Sequence, residues 1–180
     1  MTYVLLLTGV IFLQIFWALT DPRPIKEIIS GLFKNPIYRV SLVTIFLLSF
    51  FKSFYFSFPE TNYDFQISVI GLIILYIGVF IAVWAKVTMG RNWGVPASFN
   101  KTRQKELVIK GPFAFSRNPI YLGLILWFFG YFITLRSYLI IFAFLGFWYF
   151  RKAAIKEEKI MEKAFGEKYL KYKQKTKRFI

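Results

Sequence analysis

Glu157 and Glu158 stand side by side in a stretch otherwise rich in lysine. Upstream runs Gly111-Pro112-Phe113-Ala114-Phe115-Ser116-Arg117-Asn118-Pro119-Ile120-Tyr121-Leu122-Gly123, a basic loop leading into an apolar segment. From Arg151 to Phe165 the pattern is helical. At about 100° per residue, Lys152, Lys156, Lys159 and Lys163 share one stripe, and Ala154, Glu158, Met161 and Phe165 share the opposite one. Glu158 therefore falls in the middle of the face such a helix buries, with Arg151 on that face two turns earlier. An unpaired buried carboxylate is expensive, so Glu158 needs a cation: Arg151, Arg117, or the ammonium or sulfonium of a ligand. Glu157 flanks it, as a second ligand group or as an i,i+4 partner on the helix surface.

Asn118-Pro119 is a helix-start signal, because Asn is a favoured N-cap and Pro loses nothing at the first helical position. A helix begun there turns free N–H groups and a partial positive charge toward its entry loop, a site suited to an anion. Arg117 adds a full charge beside it, available to a ligand or to a lipid phosphate. Tyr121 offers a hydroxyl in the first turn, and Gly123 a close backbone approach. Residues 106–112 form a short apolar run ending in a turn and could supply one wall of a pocket. With no Cys and no His, thiol chemistry, a histidine base and the usual zinc sites are excluded, and no metal is expected.

The elements that must position these groups are apolar. The 180 residues are 57% hydrophobic and 22% aromatic, beyond an ordinary soluble domain, and read as one all-α membrane domain. Apolar runs at 2–19, 40–58, 65–85, 119–135 and 137–150 give about five transmembrane helices, the last two a tight hairpin. A basic helical tail, 151–180, follows. The first run lacks a basic n-region and a cleavage site, so a retained helix is expected rather than a signal peptide. The 20–39 loop carries four Lys or Arg, 86–118 carries seven and the tail eleven, whereas the 59–64 turn has none and the hairpin tip only Arg136. Five spans put every basic segment on one side, with the N-terminus outside and the C-terminus in the cytosol. Lys52 sits inside its span, where it either snorkels to the interface or lines a cavity. The net charge of +15 then follows from orientation and from anionic lipid headgroups, not from nucleic acid. Tyr169 and Tyr172 are expected to anchor the helix end at the interface.

Leu107-Val108-Ile109-Lys110-Gly111-Pro112-Phe113, Arg117-Asn118-Pro119-Ile120-Tyr121-Leu122-Gly123, Arg151, Glu157-Glu158 and Phe165-Gly166-Glu167-Lys168-Tyr169-Leu170-Lys171-Tyr172 together resemble the isoprenylcysteine carboxyl methyltransferase family and its relatives, the small membrane phospholipid methyltransferases. Met89-Gly90-Arg91-Asn92-Trp93 also looks like the family's segment after the third span, so the resemblance covers roughly residues 86–175. It implies S-adenosylmethionine held on the cytosolic side. The adenine would lie against Leu107, Val108 and Gly111, and the methionine end near Arg117, Asn118, Pro119, Tyr121, Glu157 and Glu158. A lipid-like or prenylated acceptor would enter laterally near Arg151, with Arg151 and Glu158 as the catalytic pair. One departure stands out: the family's His is Asn118 here, which keeps a donor and loses a titratable ring. The family's C-terminal architecture is shared with membrane sterol reductases, which keeps a nicotinamide-dependent reductase open. A non-enzymatic membrane protein, with the Glu pair in structural salt bridges, is a third reading. A short chain without an organelle signal is compatible with a prokaryotic inner membrane.

Overall fold

The computed structural model describes residues 2–20, 56–92 and 104–180. Within them the regular structure is helical: α1 (Thr2–Leu19), α2 (Asp64–Met89), α3 (Pro119–Thr134), α4 (Ile141–Phe165) and α5 (Glu167–Lys175). No strand occurs among the described residues, where isolated bridges join Ser57 to Ser137 and Ser116 to Lys177. By length and composition, Asp64–Met89 and Tyr138–Phe165 are long and apolar enough to cross a membrane, with Pro119–Thr134 a shorter apolar helix. The expected run at 2–19 matches α1, and 65–85 and 119–135 fall within a few residues of α2 and α3. The run at 40–58 lies outside the described residues apart from Phe56, Ser57 and Phe58, which are not helical. Lys52, the 20–39 loop beyond Thr20, and Trp93 also lie outside them.

α2 and α3 run antiparallel along a seam of glycines seven residues apart, Gly71 and Gly78 against Gly123 and Gly130. A Cβ on Gly78 would stand 2.5 Å from the Gly123 carbonyl oxygen, and one on Gly123 would stand 2.6 Å from that of Gly78. Lipid tails are as apolar as leucine, so helices in a bilayer gain from close backbone contact, and this seam provides it. Gly123 thus serves helix packing rather than a ligand. Leu6, Leu13, Leu75, Val79, Trp127 and Tyr131 fill the core beside it. α1 runs parallel to α2: Tyr76 donates to Leu5 O at 2.8 Å, and Lys86 Nζ donates to Trp17 O at 3.3 Å. At the far end of the α2–α3 pair, Arg136 pairs with Asp64, and Phe58 N donates to Arg136 O at 2.8 Å. The turn before α2 and the tip after α3 therefore share one end of the molecule.

α4 departs from the expected hairpin arm. Residues 137–150 and the basic tail were expected as separate elements, but after a short turn at Tyr138–Ile140 one unbroken helix runs from Ile141 to Phe165. Nothing between Phe150 and Arg151 breaks helical hydrogen bonding, so the helix continues where its surroundings change from apolar to charged. Its first half leaves Ile141, Phe144, Leu145 and Trp148 exposed, as a lipid-facing surface would be. Gly166, with φ of 51°, ends it and turns the chain into α5, a conformation that favours glycine.

Candidate functional site

Site geometry begins at the start of α3, where Pro119 occupies the first turn and Asn118 the N-cap position. The Asn118 side chain makes no capping bond. Its Nδ2 instead donates to Glu158 Oε1 at 2.8 Å, while its backbone N–H donates to Arg178 O at 3.2 Å. The N-cap expectation holds for the backbone and fails for the side chain: the amide is turned to donate from Nδ2 to the buried carboxylate, and Oδ1 accepts nothing from the helix N–H groups. Arg117 is similarly enclosed. Its Nη2 donates to Glu158 Oε2 at 3.0 Å, and its Nη1 donates to Lys173 O at 2.9 Å and Thr176 O at 2.7 Å. Its Nε is buried with no partner among the described residues.

Glu158 lies where the stripe placed it, on the buried face of α4 with Ala154 and Met161, and is 3% exposed. Besides Asn118 and Arg117 it accepts two bonds from Arg178, Nε to Oε1 at 2.8 Å and Nη2 to Oε2 at 3.2 Å. A carboxylate has about four acceptor positions, and protein donors fill all of them. Of the partners weighed from sequence, Arg117 is present. Arg151 is not: its guanidinium sits 5.6 Å from the centroid of the Trp148 ring. The hydrogen bond to Glu158 keeps the Arg178 guanidinium charged, its pKa raised. Glu157 differs from its neighbour. Its Oε2 accepts from Tyr121 Oη at 2.8 Å, and no donor among the described residues reaches Oε1.

These groups border a cleft that, with its open mouth, holds about 640 Å³ of space between atoms. Leu107, Val108, Arg117, Asn118, Pro119, Tyr121, Glu157 and Glu158 line it, so most of the residues singled out from sequence come together. Gly111 and Arg151 do not line it. Gly111, at φ of 59°, opens the turn Gly111–Ala114, and a Cβ there would stand 3.0 Å from Thr88 Oγ1. Asn92 Oδ1 accepts from Lys105 N at 3.2 Å, holding the segment that leads to Leu107 and Val108.

Tyr169 and Tyr172 correct an expectation. They are buried walls of the cavity rather than interface anchors, and Tyr172 Oη donates to Phe113 O at 2.6 Å. Burial pushes both hydroxyls well above the usual phenol range, so they remain neutral donors. Their spacing, with Thr176 one turn further on, repeats one helix face and was a readable signal. Arg178 was missed. The available signal was an arginine among the lysines that follow Gly166, since arginine's fork suits a two-oxygen acceptor where lysine does not.

A sequence profile of the phospholipid methyltransferase family matches residues 67–168, from early α2 through α4, the stretch that supplies all of the cavity's lining but Tyr169 and Tyr172. The chain belongs to the phospholipid methyltransferase family. Among curated relatives, a protein-S-isoprenylcysteine O-methyltransferase of Tribolium castaneum is 28% identical over 161 residues, covering 88% of this chain and 57% of that protein. One of Xenopus laevis is 32% identical, covering 66% of this chain and 42% of its own length. A probable one of Oryza sativa subsp. indica is also 32% identical, with coverages of 66% and 63%. The chain thus spans about half the length of the relatives it matches. An all-helical fold with membrane-length apolar helices is what this phospholipid methyltransferase family member shares with the expectation from sequence.

Proposed function

We propose that the protein is an S-adenosylmethionine-dependent methyltransferase acting on a carboxyl, or an amine, of a lipid-like, prenylated substrate at the cytosolic membrane interface. The observation that carries this reading is the unequal pair of carboxylates. Glu158 is saturated by protein donors, whereas Glu157 borders the cavity with one oxygen unengaged by the described residues. An amphoteric ligand suits that arrangement. Glu157 would hold an ammonium group. Arg117, with its unpartnered Nε at the entry to α3, would hold a carboxylate. Leu107 and Val108, with Met89 and Phe113, would cover an apolar ring.

When bound, the sulfonium supplies an electrophilic methyl group, so the driving force lies in the cofactor. The protein's part is to align the acceptor and exclude water. Arg151 is proposed to orient the acceptor's carboxylate or lipid phosphate from its place on α4, seven residues before Glu158 and about 10 Å along the helix. Five spans, with the N-terminus outside and the basic tail in a prokaryotic cytosol, belong to the same reading, as do contacts of that basic face with anionic headgroups.

Calorimetric titration of the detergent-solubilised protein with S-adenosylhomocysteine, in parallel with a nicotinamide dinucleotide, tests the cofactor. Micromolar binding of the first and none of the second is expected. The reverse pattern would replace the methyltransferase by a reductase, an alternative that the family match does not favour.

A further inference from the structure

Beyond the helices, residues 176–179 return across the site and bond to the loop that begins α3. Arg117 N donates to Lys177 O at 2.9 Å and Asn118 N to Arg178 O at 3.2 Å. Ser116 Oγ donates to Arg178 O at 3.0 Å, and Ser116 and Lys177 form a parallel bridge. Beyond them, the Phe179 ring packs 6.3 Å from that of Phe147 on α4. This short stretch therefore spans from the entry of α3 to the face of α4, and from its middle Arg178 grips both oxygens of Glu158.

We infer that residues 176–179 act as a strap that completes the site, with Arg178 the positioning residue that fixes Glu158. The inference rests on the methyltransferase reading for the ligand it serves. Without the second guanidinium, Glu158 keeps one bond to each oxygen, from Arg117 and Asn118, and is held less firmly about its last torsion. Arg117 would then follow the carboxylate, and the entry to α3 would lose its set geometry. A residue that acts this way reaches the ligand only through Glu158. Arg178 is itself partly exposed, its side chain 30% accessible, so removing it leaves no large buried void. Lysine is a poor substitute because one ammonium cannot engage both oxygens side-on.

The test uses the full chain in detergent. S-adenosylhomocysteine binding is measured calorimetrically for the wild type, Arg178→Ala, Arg178→Lys, Glu158→Gln and the Arg178→Ala/Glu158→Gln double variant. Hydrogen exchange at the amides of Arg117 and Asn118 is followed without ligand. Expected are a loss of about tenfold in affinity for Arg178→Ala, no full recovery with Arg178→Lys, and less than a further twofold loss when Glu158→Gln is already present. The two amides should be protected in the wild type and exchange faster when the chain is ended after Lys175. Unchanged binding by Arg178→Ala, full recovery by Arg178→Lys, or an equal loss in the Glu158→Gln background would overturn the positioning role. If the wild type itself ignores S-adenosylhomocysteine, the cofactor reading fails by itself. Exchange then decides the strap, and unprotected wild-type amides at Arg117 and Asn118 would remove it.

Discussion

Consecutive side chains on a helix point about 100° apart, and at Glu157 and Glu158 that angle separates two electrostatic situations. One carboxylate is locked between two guanidinium groups and an amide; the other accepts a single tyrosine hydroxyl at the cavity edge. Substitutions should separate them. Glu157→Gln keeps shape and most packing while removing the charge a ligand ammonium would meet. It is expected to weaken S-adenosylhomocysteine binding by tenfold or more with little change in melting temperature. Glu158→Gln leaves two guanidinium groups without a counter-charge, one of them largely buried. Breaking such a pair costs about 3–5 kcal/mol when fully buried, and this partly exposed one should sit at the low end. Binding and melting temperature should therefore fall together. Equal melting temperatures for the two variants would contradict the division of labour drawn from the geometry. The sequence stripe located Glu158 on the buried face correctly. It could not say which carboxylate stayed open, because that depends on Arg178, twenty residues on in the chain.

At the scale of elements, the start of α3 is aimed by its seam with α2. The glycines at 71, 78, 123 and 130 bring two backbones into contact, and their register sets Asn118 and Tyr121 against α4. Gly123→Val would put two methyls where the Gly78 carbonyl and Ala82 already stand. The helices must separate, at about 1–3 kcal/mol or more by overpacking. A lower melting temperature in detergent is expected, with weakened S-adenosylhomocysteine binding although residue 123 does not line the cavity. Full binding in a stable Gly123→Val protein would show that the seam does not aim the site. Hydropathy and the Asn118-Pro119 signal made the beginnings of these helices legible, because apolar run length and a missing proline N–H are local properties. The unbroken course of α4 was harder to read, since a change of polarity looks like a boundary when only the environment changes. The inward turn of Tyr169 and Tyr172 was harder still. Their spacing marks a shared helix face, but what that face packs on depends on Gly166 redirecting α5 across Met161 and Leu107, which is not a local property.

For the whole molecule, two contacts set direction. Asp64 and Arg136 share one end, and Lys86 and Trp17 lie toward the other, where the cavity opens. α1 and α2 run parallel, so a membrane arrangement in which both cross requires the chain to return between them. The five-span proposal gives that return to the apolar run at 40–58, most of which lies outside the described residues. In the five-span arrangement proposed above, the basic loops and tail would fall on the cavity side, the side the charge bias assigns to the cytosol. The sequence contains no cysteine, so a single introduced thiol reports its side without background. Glu60→Cys lies in the turn before α2, and Lys171→Cys on the exposed face of α5. In intact cells a membrane-impermeant maleimide is expected to label the first and spare the second, and to reach both after permeabilisation. Labelling of both from outside would mean an even number of crossings between them, against the three proposed for α2, α3 and α4. Inverted labelling would keep the crossings and move the cavity, with its carboxylates, to the side where a cytosolic methyl donor cannot reach it.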